Sequence, residues 1–400
     1  MDRAAGRRHL VGARRSRVSS PPRTTDRGLQ TRLLSWFRRE RRRLPWRGTR
    51  DPYRIWVSEV MLQQTTVAAV LKRYAPFLAR FPDLGRLSRA REESVLAAWS
   101  GLGYYARARN LHRAARAIES LHGGRFPRDP AVLRGLPGFG AYTAAAVASL
   151  AFEARVPAAD ANITRVLSRL YALDGAAGSP ALAREVLRRA AQLLPRARPG
   201  DLTAALMDLG QQICTPRRPD CPVCPVARFC VARSRGVVER YPARRARPPA
   251  RRVFLAAACA VHERRVLLVQ RPGTLLEGLW RFPSAEGATP RAALAALRLH
   301  AASLGLRLAG DLPLHVTHHT IVNRRLDIRV YPACAISSPK SEIRNPKFAR
   351  WFSPAALEGG AVPTLTRKIA HAAGFPERRG RRILEADESR RGAVPARGAR

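Results

Sequence analysis

The chain has 400 residues, enough for two or three domains that each bury a core. It carries 73 basic and 29 acidic residues, a net charge of +44 that suits a polyanionic partner, although drift towards arginine accounts for part of the excess. No apolar run approaches the roughly 18 residues that span a bilayer, so we expect no membrane partner. Six cysteines, most of them clustered, argue against a secreted disulfide scaffold and for a reducing compartment.

Helical patterning dominates the first part of the chain. Residues 1–28 are rich in Arg, Ser and Pro without apolar periodicity and predict a disordered basic arm. Residues 29–235 predict one all-α domain. Within it, Asp51 and Asp129, each followed by proline, predict helix N-caps. The apolar run 144–152 predicts a buried helix.

The second part changes period. Residues 236–252 are rich in Pro and Arg and predict an extended basic linker. Short apolar runs and one helical stretch then predict an α+β domain over residues 253–373. Residues 374–400 are again basic and aperiodic, which predicts a C-terminal basic tail.

The four clustered cysteines have the spacing C-x6-C-x2-C-x5-C. Thiolates gathered on short turns form a zinc site or an iron–sulfur cage. Zinc ribbons usually show two close cysteine pairs far apart, so this spacing favours a cluster and leaves zinc as the alternative. The basic loop 215–220 between the first two cysteines places arginines where they could meet a phosphate backbone. The cysteines are Cys214, Cys221, Cys224 and Cys230.

A glycine-punctuated turn occupies residues 136–140. One helix ends near residue 135 and another begins at residue 141, so Gly138 and Gly140 leave backbone amides free for a phosphate. An ordinary αα-hairpin is the plainer interpretation.

Two carboxylates precede or occupy helices with apolar surroundings. Asp160 is placed to cap a helix, and the same amides and helix dipole would hold an anion that stabilises a cation. Glu59 shares a helix side with apolar residues, so it needs a hydrogen-bonding partner or a tendency to stay protonated. Gln63 and Gln64 beside it supply amides suited to base edges.

The segment 101–110 combines glycines, two tyrosines and arginines. This composition suits a wedge that enters a base stack, with Tyr104 at its centre and arginines on phosphates. A pair of core tyrosines is the alternative.

Taken together, these segments resemble the MutY family of adenine DNA glycosylases, in the helix-hairpin-helix superfamily that includes endonuclease III. The resemblance covers roughly residues 29–367. It implies a monofunctional, monomeric enzyme that removes adenine mispaired with 8-oxoguanine or guanine in double-stranded DNA. Breaking an N-glycosidic bond requires an acid for the leaving base and an anion for the sugar cation, and the base must leave the stack.

The resemblance also implies a role for each candidate residue. Glu59 protonates the adenine, and Asp160 stabilises the sugar cation with Asn162 and Tyr142 in support. Gln64 and Tyr104 enter the lesion. The four cysteines hold a [4Fe-4S] cluster. Ala161 departs from the family pattern, in which glycine is common after the aspartate.

The C-terminal half carries its own resemblance. Residues 271–283 resemble the Nudix-like domain of the MutY family, yet the next helical stretch, 289–297, lacks the glutamates that bind magnesium in Nudix hydrolases. We therefore expect this domain to recognise and not to hydrolyse. Residues 315–319 align with the family's recognition loop, with Val316 and Thr317 as departures, and the resemblance implies that Thr317 and His318 read the base. The alternative is that the histidines here are ordinary strand residues.

Other functions remain as alternatives. A bifunctional lyase like endonuclease III needs a lysine where this chain has Tyr142, and Lys72 is the only lysine before residue 340. A cluster-bearing DNA-binding sensor without catalysis would give Glu59 and Asp160 no task. The expected location is a bacterial cytoplasm, in association with the nucleoid, with organellar and nuclear targeting as alternatives.

Overall fold

A computed structural model of the chain describes residues 26–245, 249–270, 276–321, 323–335 and 348–375. Most of the predicted arm and tail, and residues 271–275 of the Nudix-like signature, lie outside these residues. A helical part is followed by an α+β part, as predicted. None of the described helices is long and apolar enough to cross a membrane.

The helical part begins and ends its helices at the signals in the sequence. Asp51 Oδ1 accepts a hydrogen bond from the amide of Tyr53 at 2.9 Å, and Asp129 accepts one from Ala131 at 2.8 Å, so both predicted N-caps are confirmed. The helices are α1 (Asp26–Glu40), α2 (Pro52–Leu62), α3 (Val67–Arg80), α4 (Leu84–Ser88), α5 (Glu92–Ala98), α6 (Ala106–His122), α7 (Pro130–Arg134), α8 (Ala141–Phe152), α9 (Ala161–Tyr171), α10 (Pro180–Leu193), α11 (Pro199–Gln212) and α12 (Val231–Ser234).

The α+β part is a mixed sheet with helices. Its elements are β1 (Arg251–His262), β2 (Arg265–Val269), β3 (Ser284–Gly287), α13 (Pro290–Ser303), β4 (Leu306–Leu308), β5 (His315–Ile321), β6 (Arg324–Ala335), β7 (Ala349–Phe352), α14 (Pro354–Gly359) and α15 (Thr364–Ala372). The long strands β1 and β6 pair in parallel, and β5 pairs antiparallel with β6. The strand order is β4-β6-β1-β2-β7, with β3 on β1 and β5 on β6.

Strand β1 is buried on both faces, and its side chains alternate between two clusters. Leu255 and Ala257 face the main core, whereas Ala256 and Ala258 pack against Leu297 of α13. This alternation follows from the two-residue period of a strand. The main core is continuous from α2, α5, α6 and α8 into β1, β2, β6, α14 and α15.

The chain divides into two compact units that interleave along the sequence. The first unit carries Asp160, Asn162 and the clustered cysteines. The second carries Glu59, Tyr142 and the whole α+β part. Within the described residues the first unit takes residues 26–41, 159–196 and 201–244, and the second takes residues 42–158, 197–200 and those from 245 onwards.

Three boundaries differ from the predicted ones. Helix α1 begins at Asp26, inside the predicted arm, and Phe375, only 3% exposed, is packed where the tail was expected to begin. The start of the predicted linker is not extended, since Val238–Arg240 forms a 3-10 turn. The Arg169 guanidinium holds it by donating to the carbonyls of Val238 and Tyr241, each at 3.1 Å.

Candidate active site

Glu59 lies on the buried side of α2, with 7% of its surface exposed. Its Oε2 accepts a hydrogen bond from the phenol of Tyr142 at 2.8 Å. Tyr142 is in the first turn of α8, which packs against α2. A buried carboxyl without a partner would be costly. Tyr142 is therefore a partner of the kind that the apolar surroundings of Glu59 require.

The residues after Glu59 form a tight turn at the end of α2. Gln63 Nε2 donates to Thr143 Oγ1 at 3.1 Å, which ties the turn to α8. Gln64 is exposed and has a left-handed backbone, with φ of 54°. Tyr104 shares both features, with φ of 47° and 46% of its surface exposed. Both side chains are thus presented to solvent from turns whose backbone is in a sparsely populated conformation.

A buried arginine joins these two turns. Arg107, 9% exposed, donates to the carbonyl of Met61 at the end of α2 and to that of Leu102 beside Tyr104, each at 2.9 Å. Its guanidinium also lies 5.4 Å from the centroid of the Tyr104 ring. Burial lowers the pKa of Arg107 to about 10, so it is charged at neutral pH. The Arg107 guanidinium thus connects the two turns that present Gln64 and Tyr104 to solvent.

The glycine-punctuated turn between α7 and α8 lies at the surface. Gly138 has φ of 77°, and a Cβ there would lie 2.6 Å from Cβ of Asn110, so both conformation and space require glycine. Gly140 caps α8 without a side-chain hydrogen bond, which leaves the amides of the first turn for another acceptor. Phe139 stacks on Trp56 of α2 at 5.3 Å. The turn and the Glu59 helix therefore form one rigid piece.

Asp160 caps α9, as its position in the sequence predicts. Its Oδ1 accepts a hydrogen bond from the amide of Ile163 and its Oδ2 from Asn162 Nδ2, each at 2.7 Å. Each carboxylate oxygen thus faces a donor, which fixes the orientation of the side chain. Ala161 is the exposed first residue of α9 and is not among the residues with positive φ, so this turn does not require glycine.

Behind Asp160 lies a hydrogen-bond relay that sequence reasoning missed. Arg165 donates to Asn162 Oδ1 at 2.9 Å, to the carbonyl of Gly210 at 2.8 Å and to the carbonyl of Cys214 at 2.7 Å. A Cβ on Gly210 would lie 2.7 Å from Cβ of Asn162, so glycine permits the close approach of α9 and α11. The sequence held one signal for these bonds, because Arg165 and Arg169 lie four residues apart and so share one side of the predicted helix. The structure shows that both are buried.

The four clustered cysteines line one pocket, with an empty volume of about 370 Å³ that includes space open to solvent. Arg169 lies at its wall and donates to Cys214 Sγ at 3.4 Å. Burial raises the pKa of Cys221 and Cys230, and raises that of Cys224 to about 12. Thiolates in this setting require a cationic group to compensate them.

The four cysteines are the candidate ligands for a metal group. Among the residues that the structure describes, no three His, Cys, Asp or Glu side chains form a site for a single metal ion. All four sulfur-bearing residues nevertheless face the same pocket. Four thiols that line one pocket suit an iron–sulfur cluster or a zinc ion.

Thr317 and His318 lie in the strand β5, which agrees with the alternative interpretation of this stretch. They pair with Ile328 and Asp327 of β6, because this stretch alternates in the way that an antiparallel strand requires. Thr317 is half-buried and His318 is exposed. Helix α13 contains neither aspartate nor glutamate. The expectation that this part does not hydrolyse nucleotides stays a prediction.

The candidate residues thus fall into two groups by unit. The second unit brings together Glu59 with Tyr142 and Gln63 with Thr143, and it carries Gln64, Tyr104, Gly138, Gly140, Thr317 and His318. The first unit brings together Asp160 with Asn162 and the four cysteines with one another.

Comparisons with known proteins find a matching family for each of the two parts of the chain. Residues 57–195 match the HhH-GPD superfamily of base excision DNA repair proteins, and residues 256–372 match the NUDIX domain. A thermostable thymine-DNA glycosylase structure is 29% identical and covers 52% of this chain and 97% of its own, with a TM-score of 0.48. The family assignment does not depend on that structure.

Two curated relatives extend the match. The adenine DNA glycosylase of Homo sapiens is 35% identical over 405 aligned residues, covering 84% of this chain and 72% of the human protein. The adenine DNA glycosylase of Mycolicibacterium smegmatis is 44% identical over 214 residues, covering 53% of this chain and 72% of its own. With two matched domains and this coverage, the chain belongs to the family of adenine DNA glycosylases.

Proposed function

We propose that this DNA glycosylase removes adenine paired with 8-oxoguanine or guanine in double-stranded DNA, as a monomer and without a lyase step. The observation that carries the proposal is the hydrogen bond from Tyr142 to Glu59 at 2.8 Å. It couples a buried carboxyl, suited to protonate a leaving base, to a tyrosine at the position where a lyase would need lysine.

The two carboxylates divide the chemistry. Glu59 donates a proton to the adenine as the C–N bond breaks, so that the base leaves neutral. Asp160, held by Ile163 and Asn162, supplies the negative charge that stabilises the sugar cation until water adds to it.

Recognition of the base pair is assigned to exposed and half-buried side chains and to backbone amides at the surface. Gln64 and Tyr104 project from rigid turns and suit insertion into the base stack. Thr317 and His318, on the strand β5, carry hydroxyl and imidazole groups that suit the edge of the base opposite the adenine. The amides of the Gly138–Gly140 turn suit a phosphate of the same duplex.

A [4Fe-4S] cluster would be held by Cys214, Cys221, Cys224 and Cys230. Its contribution would be structural, because it would fix the ends of the loop 215–220, which presents the exposed Arg217 and Arg218. The alternative occupant is zinc. Location in a bacterial cytoplasm stays a prediction.

A strand-nicking assay tests the proposal. The full chain is incubated with duplexes that contain A:8-oxoguanine, A:G or A:T, with and without alkali. We expect cleavage at the adenine only after alkali, with A:8-oxoguanine cleaved fastest. Strand cleavage without alkali would favour the endonuclease III-like alternative, and tight binding without any base release would favour the sensor.

A double substitution tests the recognition residues. Thr317→Ala with His318→Ala should reduce the preference for 8-oxoguanine over guanine by roughly 1–3 kcal/mol, the value of one good base-edge contact. Both residues lie in a strand that pairs with β6 through its backbone, so shortening their side chains leaves this pairing in place. An unchanged preference would move recognition to Gln64 and Tyr104.

A further inference from the structure

Helix α15 binds two separate segments of the second unit through two adjacent side chains. Arg367 Nη1 donates to Ser100 Oγ at 2.7 Å and to the carbonyl of Val362 at 2.9 Å. Lys368 Nζ donates to the carbonyl of His318 in β5 at 2.6 Å. Adjacent residues of a helix are about 100° apart around its axis, so one helix reaches in both directions.

The first contact anchors the turn that presents Tyr104. Ser100 is 4% exposed and immediately precedes Gly101, whose φ is 93°, at the start of this turn. Its hydroxyl accepts from Arg367 and donates to the carbonyl of Val362 at 3.3 Å. Buried hydrogen bonds of this kind, one of them to a cation, are stronger than their exposed counterparts.

The second contact restrains the strand that carries Thr317 and His318. Strand β5 pairs with β6, and Lys368 adds a bond from a different element. Burial and the positive charge of Lys368 also lower the pKa of His319, the next residue, which keeps that ring neutral. The body of α15 is fixed independently, because Leu365 and Ile369 are buried in the main core.

We infer that α15 holds the Tyr104 turn and strand β5 in one fixed geometry, with Arg367 and Lys368 as positioning residues for recognition of the base opposite the adenine. The inference rests on the proposed function, in which both segments contact the lesion pair. Two contacts held at a fixed spacing bind more tightly because neither must be ordered on binding, and a base edge that does not match that spacing cannot recover both contacts by local movement.

The test compares Ser100→Ala and Lys368→Met with the parent in single-turnover assays of the full chain. Neither residue belongs to the catalytic groups. We expect the ratio of adenine-release rates, A:8-oxoguanine over A:G, to fall about three- to tenfold in each variant, the effect of one lost hydrogen bond. The A:G rate itself should stay within about twofold, since Glu59 and Asp160 are untouched.

Two controls make the result specific. Arg291→Met removes one exposed positive charge at the start of α13 and should leave the ratio unchanged. The double variant should lose less than the product of the single losses, because both bonds act through one helix. Melting temperatures identify any variant whose fold has changed.

The inference is overturned if both single variants keep the parental ratio of rates. It is also overturned if the rates on A:8-oxoguanine and on A:G fall together. A parent that shows no preference for 8-oxoguanine would instead refute the proposed specificity, and the inference with it. The parent is measured first, so the two failures are distinguishable.

Discussion

At the scale of single residues, two carboxyl groups are placed in opposite environments. Glu59 is surrounded by the apolar side of α2 and accepts from a phenol, whereas Asp160 accepts from a backbone amide and a side-chain amide at a helix start. Environments that differ in this way assign acid and anion roles to chemically similar side chains. The assignment rests on surroundings more than on residue type.

We expect Glu59→Gln and Asp160→Asn each to slow adenine release by about a hundredfold or more while DNA affinity is largely kept. Each change removes one ionisable oxygen and alters little volume, so the fold should be preserved. Single-turnover kinetics and a binding titration on the same duplex separate the two effects. Turnover near that of the parent in either variant would assign the chemistry to another residue.

At the scale of elements, the packing of α9 against α11 places the anion. Gly210 allows Asn162 to reach both Asp160 and Arg165. A side chain at position 210 would press on the backbone of α9 and displace its first turn. The position of Asp160, the proposed anion, therefore depends on a glycine about fifty residues away along the chain.

Gly210→Ala should lower stability by roughly 1–3 kcal/mol, as overpacking does, and should slow adenine release in addition. Gly359→Ala is the matched control, because Gly359 is also helical and a Cβ there meets nothing within 4 Å. The control should be neutral or slightly stabilising. Thermal unfolding measures the change in stability, and single-turnover kinetics measure the rate of adenine release. A Gly210→Ala variant with the parental stability and rate would contradict this role of Gly210.

The cysteine segment yields a second prediction at this scale. Protein purified without oxygen should contain iron and acid-labile sulfide, and Cys224→Ser should reduce both along with soluble yield and DNA affinity. Cys259→Ser is the control, since Cys259 is a buried thiol of β1 outside the cluster. Stoichiometric zinc without iron in the anaerobic protein would count against the cluster.

Local signals in the sequence were sufficient for much of this architecture. Asp51, Asp129 and Asp160 cap helices as their neighbours predict, and the strand period of residues 253–261 appears as β1. These features depend on contacts only a few residues apart. They can therefore be predicted from short stretches of the sequence.

What the sequence left undetermined depends on distant contacts. Residues 315–319 become strand only because β6 pairs with them, and the linker start folds back because Arg169 binds its carbonyls. Arg107 and Arg165 resembled surface arginines in a chain with so many of them. Their buried hydrogen bonds appear only once the partner elements are in place.

At the scale of the whole molecule, the net charge of +44 favours binding to DNA, and the number of phosphates contacted sets how that binding responds to salt. Each phosphate that an arginine neutralises releases a counterion, so the logarithm of affinity falls linearly with the logarithm of salt concentration. The slope counts the contacts. It therefore separates arginines that bind DNA from those that are only solvated.

Arg217→Gln with Arg218→Gln should reduce this slope by about 1.8, the value for two phosphate contacts. Both side chains are exposed in the loop after Cys214, whose shape is kept by bonds from Thr215 Oγ1 to the carbonyls of both residues. Arg291→Gln, on α13, is the control and should leave the slope unchanged. An unchanged slope in the double variant would show that Arg217 and Arg218 do not contact phosphates.

The interleaving of the two units has a consequence for synthesis on the ribosome. In the first unit, Gln30 of α1 donates to the carbonyl of Leu193 in α10, 163 residues later. At roughly 5–20 residues per second, α1 emerges about 8–33 s before that partner exists. Its apolar side, with Leu29 and Leu33 fully buried in the finished fold, must wait in water or on a chaperone during that interval. Helix α1 is thus made well before the segment that its Gln30 binds.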